Sequence, residues 1–206
     1  MQLQWLKRRP NAPLVIVVFG GWALGAGVFA HLETTADILF VSDYRDLACD
    51  LPTLDHYETR VLVAWSFGIA SYCAWQKGRV DIFDRKIALN GSMTPVDRRV
   101  GIPPVIMQKT IDTLSDAAFQ VFLTRSYGKK QPHETIDVPA RKAELIAVNS
   151  RDYRGGELHW DKVCISRHDK IFPFNNMQRA WQVPLDVLGG PHVPFAAWET
   201  WDEVIA

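Results

Sequence analysis

An α/β fold with a mainly parallel sheet flanked by helices is predicted by three observations in the 206-residue sequence. Unbroken apolar runs such as LVIVVF at residues 14–19 and VLV at 61–63 read as strands buried on both faces. Helix-compatible segments separate these runs, so strands and helices alternate along the chain. The hydrophobic content, 48%, is enough for one sizeable core, and a single domain is expected at this length.

The elements follow in order. Residues 2–7 alternate apolar and polar side chains, as a short edge strand does. Residues 14–19 form the first buried strand, and 23–33 are a helix candidate. Lys7-Arg8-Arg9 ahead of the uncharged stretch 14–30 superficially resembles a secretory signal or a short span. Four glycines (Gly20, Gly21, Gly25 and Gly27) and a β-branched first half favour strand, glycine turn and helix instead. Residues 38–41 are a second buried strand ending at Ser42-Asp43-Tyr44. Residues 60–65 are a third, followed by a helix over 67–76 with Ile69, Tyr72 and Trp75 on its apolar face. Residues 82–89 alternate up to Asn90-Gly91, and 163–166 and 185–188 complete the strands.

Between about residues 92 and 152 the alternation lapses and only helices are expected. Pro103-Pro104 opens the first, which carries Val105, Ile106, Ile111 and Leu114. Ser115 can cap the second, whose Ala118, Phe119, Phe122 and Leu123 make a stripe at helical spacing. Pro139 suits the first turn of the third, through Leu145, Ile146 and Val148. A helical insertion before the last two strands of such a sheet fits a lid. It equally fits helices that merely extend the core.

Lys+Arg and Asp+Glu each total 23, so no global charge points to nucleic acid or an anionic membrane, and electrostatic recognition would need a local patch. Cys49, Cys73 and Cys164 are odd in number and lack metal-ligand spacing, as expected for free thiols in a reducing cytoplasm.

The chemistry centres on Ala64-Trp65-Ser66-Phe67-Gly68. A serine between strand and helix, with small residues two positions before and after it, meets the steric demand of a nucleophile elbow, here with Ala64 in place of the usual first glycine. An ordinary strand-to-helix turn fits the same five residues, and the case grows with an oxyanion loop before Ser66 and an acid and a histidine after it. Upstream, Phe19-Gly20-Gly21-Trp22 ends a strand with glycines that let backbone N–H groups approach a ligand oxygen. With Phe67 N–H, Trp22 N–H would form an oxyanion hole, while a turn with only a packing role fits the same residues. Downstream, Asp169 lies in a loop after a late strand and is the favoured acid over Asp161 and Asp186. His168 is expected to face away. His192 sits in the glycine- and proline-rich loop GGPHVPF after the final strand, whereas His31, His56, His133 and His159 lie elsewhere. The order Ser66, Asp169, His192 is that of α/β-hydrolases.

The segments FGGWAL, VSDYRD, AWSFG, ALNGSMTPVD, GIPP, SRHDKIFPFNNMQ and GGPHVPF together resemble the small pimeloyl-acyl-carrier-protein methyl ester esterases of biotin synthesis, BioG type, within the α/β-hydrolase superfamily. The resemblance spans nearly the whole chain and implies Ser66, Asp169 and His192 as catalytic residues, in agreement with the spacing. FGGWAL is also similar to the HGWGL loop of the larger esterase of that pathway, which supports Trp22 as a donor and leaves the anchoring of Gly20 open.

The resemblance implies hydrolysis of the methyl ester of pimeloyl chains borne by acyl carrier protein, with neither metal nor organic cofactor. A channel lined by Trp22, Trp65, Phe67, Phe119 and Phe122 would hold the polymethylene chain. Arg98, Arg99, Lys109, Arg125, Lys129 and Lys130 give the insertion a basic bias suited to an acidic carrier, with Arg125, Lys129 and Lys130 the docking candidates, while an ordinary solvated charged face accounts for any one of them equally. A cytoplasmic monomer is expected. Rival readings are a general carboxylesterase, thioesterase or acyltransferase with the same triad, an inactive hydrolase-fold binding protein, and a cysteine hydrolase using Cys49 or Cys73.

Overall fold

The computed structural model describes residues 1–156 and 158–206. Seven strands form one sheet in the order β1-β3-β2-β4-β5-β6-β7, with β1 (Gln2–Lys7), β2 (Leu14–Phe19), β3 (Asp37–Ser42), β4 (Thr59–Trp65), β5 (Arg85–Leu89), β6 (Lys162–Ser166) and β7 (Asp186–Leu188). Only the pairing of β1 with β3 is antiparallel, and the other five pairings are parallel. The α/β-hydrolase class expected from the sequence is therefore what the chain adopts.

The unbroken apolar runs are explained by the two faces of the sheet. Along β2, Val15, Val17 and Phe19 enter one core layer while Ile16 and Val18 enter the other. Along β4, Leu62 and Ala64 face the first layer, and Val61, Val63 and Trp65 the second. A strand covered on both sides has no solvent face on which a polar side chain could alternate. The first layer is closed by α1 (Phe67–Gln76), whose Ile69, Tyr72 and Trp75 are buried. Phe19 meets Tyr72 edge-on at 5.2 Å, locking β2 to the helix that follows Ser66.

Between β5 and β6 the chain makes three helices, α2 (Pro104–Thr113), α3 (Asp116–Tyr127) and α4 (Val138–Ser150). Their starts follow the local signals: Pro at the first position of α2, the Ser115 hydroxyl accepting from Ala118 N–H before α3, and the Asp137 carboxylate accepting from Ala140 N–H before α4. Met107, Ile111, Leu145 and Val148 join the first core layer, whereas Phe119 and Leu123 join the second. The insertion thus straddles the C-terminal edge of the sheet. Helices α5 (Phe174–Ala180) and α6 (Trp201–Ile205) complete the chain.

Two expectations are corrected. Residues 23–33 do not form a helix: only a single 3-10 turn, Ala26–Phe29, is present, and Ala23 has φ +58°. Gly25 and Gly27 carry the helix-disfavouring entropy, and Val28, Phe29 and Leu32 are buried from this irregular stretch without needing helical spacing. The strand expected over 82–89 begins only at Arg85: ahead of it the Asp81 carboxylate accepts the Phe83 N–H at 3.2 Å, a local turn contact in place of strand pairing.

Candidate active site

Four strands deliver the expected residues to one edge of the sheet, at the C-terminal ends where open α/β sheets place their ligands. Ser66 follows β4, the central strand of the seven, at φ +59° and ψ −126°. A non-glycine residue there stores roughly 1–3 kcal/mol of backbone strain. Its N–H donates to Leu89 O at 2.9 Å, tying the turn to the end of β5. Its flanks have to be small: a Cβ added at Gly68 would overlap the Phe19 carbonyl oxygen and lie 2.7 Å from that of Gly20.

The structure brings Ser66, His192 and Asp169 together. Ser66 Oγ is 3.0 Å from His192 Nε2, and His192 Nδ1 is 2.7 Å from Asp169 Oδ2. Asp169 uses its other oxygen, Oδ1, to accept from the backbone N–H groups of Ile171 at 2.7 Å and Phe172 at 2.9 Å. The carboxylate is therefore fixed in plane and position from both sides. His192 is 1% exposed, with its ring stacked on Phe172 at 6.0 Å and tilted against Trp65 at 5.5 Å. An imidazole held between a hydroxyl and a carboxylate can accept the hydroxyl proton while the carboxylate stabilises the resulting cation. His168 is exposed beside this site, as expected.

The FGGW turn also lies here. A Cβ at Gly20 would meet Phe40 at 2.5 Å, and one at Gly21 would meet the Trp65 ring at 3.0 Å, so both glycines have packing reasons. Trp22 and Phe67 both line the cavity that opens onto Ser66. Phe67 is the first residue of α1, where a backbone N–H has no intrahelical acceptor. The Trp22 indole N–H donates to Arg141 O on α4 at 3.0 Å.

Anchoring of the turn, left open by the sequence, comes from Tyr44. Its buried hydroxyl lies 2.8 Å from Gly20 O and 3.1 Å from Val41 O. Tyr44 N–H donates to Glu144 Oε1 at 2.8 Å, and Arg141 bridges Glu144 and Asp43. Burial raises the Glu144 carboxyl above its ordinary range, against the stabilising Tyr44 N–H and Arg141, while the Arg45 guanidinium beside Asp43 lowers that carboxyl despite its burial. Sequence reasoning missed this cluster: VSDYRD is local, but its partners lie about a hundred residues away.

The cavity has a volume of about 360 Å³. Its apolar wall includes Trp22, Phe67, Ile106, Met107, Phe122 and Leu145, and its cations are Lys109, Arg125 and Lys170. Phe122 stands edge-on to Trp22 at 4.9 Å. Trp65 and Phe119, expected in the wall, are placed elsewhere. Both are fully buried in the second core layer, because their positions on β4 and α3 turn them away from the opening. Phe119 backs Phe122 at 5.9 Å, and Trp65 donates its indole N–H to His192 O at 3.1 Å. Lys129 and Lys130 are exposed just beyond α3, outside the lining, as are Arg98 and Arg99 ahead of α2. Neither Cys49 nor Cys73 is among the lining residues. Among the described residues no cluster of His, Cys, Asp and Glu could hold a metal ion, and no helix is long and apolar enough to cross a membrane.

Comparison with known proteins gives the family and the fold. The family model described as pimeloyl-ACP methyl esterase BioG matches residues 1–204. The crystal structure of BioG from Haemophilus influenzae superposes with a TM-score of 0.88 at 26% identity, covering 100% of both chains. An uncharacterized protein of H. influenzae is 30% identical over 203 residues, 91% of this chain and 92% of its own length. A malonyl-[acyl-carrier protein] O-methyltransferase of Bacteroides fragilis is 30% identical over 177 residues, 81% of this chain but only 36% of that protein, so the chain spans about a third of that relative. An enol-lactonase from Burkholderia xenovorans shares the fold at a TM-score of 0.65 and 14% identity. With the family model matched from the first residue nearly to the last, the chain belongs to the BioG family of pimeloyl-ACP methyl esterases.

Proposed function

We propose that this protein is a serine carboxylesterase that hydrolyses the methyl ester of pimeloyl-acyl-carrier-protein, releasing methanol and pimeloyl-acyl-carrier-protein. The observation that carries the reading is the unbroken hydrogen-bonded line Ser66–His192–Asp169, whose serine end opens into an apolar cavity. His192 Nε2 takes the proton of Ser66 as Oγ attacks the ester carbonyl carbon. Asp169 holds the proton on Nδ1 and stabilises the imidazolium. The backbone N–H groups of Phe67 and Trp22 stabilise the tetrahedral oxyanion, each such donor being worth about 2.7–4 kcal/mol where measured. His192 then protonates the departing methoxide, leaving an acyl-Ser66. Water, deprotonated by the same imidazole, attacks that acyl group and restores the serine. Every proton is returned, so the chain's own groups suffice.

The substrate follows from three features taken together. Trp22, Met107, Phe122 and Leu145 give a wall suited to a methylene chain rather than a polar one. Lys109, Arg125 and Lys170 on the same cavity suit the acidic carrier that presents the chain, with exposed Lys129 and Lys130 extending the positive surface. Membership of the BioG family supplies the ester. In this reading the helices α2 to α4 are the lid of a single domain, and the enzyme works in the cytoplasm as a monomer without a cofactor. The test is mass spectrometry of carrier-bound methyl pimelate incubated with the wild type and with Ser66→Ala. The wild type should remove 14 mass units, the CH₂ by which a methyl ester exceeds its acid, as about one demethylation per chain, and Ser66→Ala should remove none. Equal conversion by both proteins would end the assignment.

A further inference from the structure

Asn90 has no part in the reading above, yet it occupies a junction of the site. It follows β5 at φ +46°, a conformation asparagine tolerates better than most residues, and it is 1% exposed. Its Oδ1 accepts from Ser166 N–H at 2.6 Å. That contact fixes which way the amide faces, since a backbone N–H requires an acceptor. Nδ2 is thereby turned toward three oxygens: Ser166 Oγ at 2.8 Å, His192 O at 2.9 Å and Pro191 O at 3.3 Å. Ser166 is the last residue of β6, and its carbonyl accepts from Asp169 N–H at 3.3 Å. One side chain therefore bonds to the strand end that starts the aspartate loop and to the peptide that carries the histidine.

The next residue ties the same junction to the nucleophile. A Cβ at Gly91 would lie 2.6 Å from Ser66 O and 3.0 Å from Ser66 Cα, so the Asn90-Gly91 backbone lies directly beneath the serine turn. Asn90 N–H itself donates to Cys164 O at 3.0 Å. The strand ahead of the histidine is slight: β7 is three residues long, with Asp186 and Val187 exposed, and Gly189 and Gly190 follow it directly. Such a loop does not fix an imidazole to a few tenths of an ångström by its own strand pairing.

We infer that Asn90 is a positioning residue that sets His192 against both Ser66 and Asp169 by clamping the His192 carbonyl to the end of β6. This deepens the esterase reading and rests on it. Trp65 Nε1, at 3.1 Å from the same carbonyl, is the second arm of the clamp. Asn90 is not among the residues lining the cavity, so its role is in the arrangement of the proton-transfer groups and not in holding substrate.

Two substitutions separate this role from bulk stability. Asn90→Gly suits the positive φ without strain and removes every side-chain bond. Asn90→Asp keeps the acceptor for Ser166 N–H and replaces the donor by an oxygen facing two carbonyls. With a soluble short-chain ester, both should lower kcat by about 10–100-fold and leave KM within about twofold, the pattern of misplaced groups rather than a lost contact. In the proton NMR spectrum, the low-field Nδ1–H signal of His192 in its bond to Asp169 should shift or vanish. A stability role alone would lower Tm and leave both kcat per folded molecule and that signal in place. Val204→Ala, in the core at α6, serves as the destabilised control that keeps both. If Asn90→Asp does not fold, Asn90→Gly decides. Wild-type kcat and an unshifted signal in a folded Asn90→Gly would overturn the inference while Ser66→Ala remained inactive. Activity in Ser66→Ala would instead overturn the esterase reading beneath it.

Discussion

Replacement of Gly68 by alanine tests how the Gly20-Gly21-Trp22 turn is set against the serine. The added Cβ would overlap the Phe19 carbonyl oxygen, lie 2.6 Å from the Phe19 carbonyl carbon and 2.7 Å from Gly20 O. Ordinary carbon contacts need roughly 3.5 Å, so the end of β2 must move from α1 by about 1 Å. All three atoms are backbone, and no side-chain rotation relieves them. Overpacking of this kind costs about 3 kcal/mol at the upper end of the usual range, and alanine's better helix propensity returns about 1 kcal/mol. The net, about 2 kcal/mol, should lower Tm by about 4–8 °C for a domain of this size. The larger effect is on rate. Gly20 and Trp22 belong to the displaced turn, and a misplacement of about 1 Å costs on the order of 10²-fold in kcat/KM. Gly25→Ala is the control, since a Cβ there meets nothing within 4 Å and its φ is −77°. It should change neither quantity appreciably. Thermal denaturation and hydrolysis of a p-nitrophenyl ester measure both. Wild-type Tm and kcat/KM in Gly68→Ala would refute the claim that this contact sets the turn.

Three further outcomes are expected. Charge reversal at Arg125 together with Lys129 should slow turnover of the carrier-bound ester about tenfold at low salt, with the deficit shrinking as salt rises, and should spare a small soluble ester; equal losses on both substrates would contradict docking. Phe122→Ala removes a wall of the cavity and the partner of Trp22, so KM for a seven-carbon ester should rise about tenfold while that for an acetate ester stays near wild type. Glu144 has a carboxyl raised by burial, so the folded state holds its proton at higher pH than the unfolded chain, and stability from this group grows as pH falls through the raised value toward the ordinary carboxylate range. Glu144→Gln lacks that gain, so its stability relative to wild type, read from urea midpoints, should be more favourable at pH 7 than at pH 5, and the opposite trend would sink the argument.

The strands, α1, and the three inserted helices were legible because each is encoded locally. Apolar runs without alternation imply two covered faces, and Pro104, Ser115 and Pro139 mark helix starts through contacts within one turn. Ser66, Asp169 and His192 were legible for a different reason: each sits where a strand ends, and the order of strand ends is the order of the chain. The segment 23–33 misled because its small residues are compatible with a helix, while Gly25 and Gly27 undo it. Trp65 and Phe119 misled because an aromatic beside a catalytic motif is not thereby in the cavity. On a strand, adjacent residues face opposite sides, so Ser66 at the tip is reachable only if Trp65 is committed to a core layer.

What no local pattern could reveal is how a domain with a three-residue final strand keeps its histidine in register. The answer lies in contacts far apart in sequence. Val193 N–H donates to Ser126 O on α3 at 2.9 Å, and a Cβ at Gly128 would meet Pro191 at 3.3 Å. The peptides on either side of His192 are thus held by the insertion on one side and by the end of β5 on the other. The cavity wall and the histidine share one support, because α3 also contributes Phe122 and Arg125 to the lining. Removing the insertion would therefore take away more than substrate binding. A chain with residues 104–150 replaced by a short linker should lose hydrolysis even of an acetate ester, which needs no long acyl pocket. If such a chain folded and cleaved that ester at the wild-type rate, α3 would be a cover over the site and not part of the frame that holds His192.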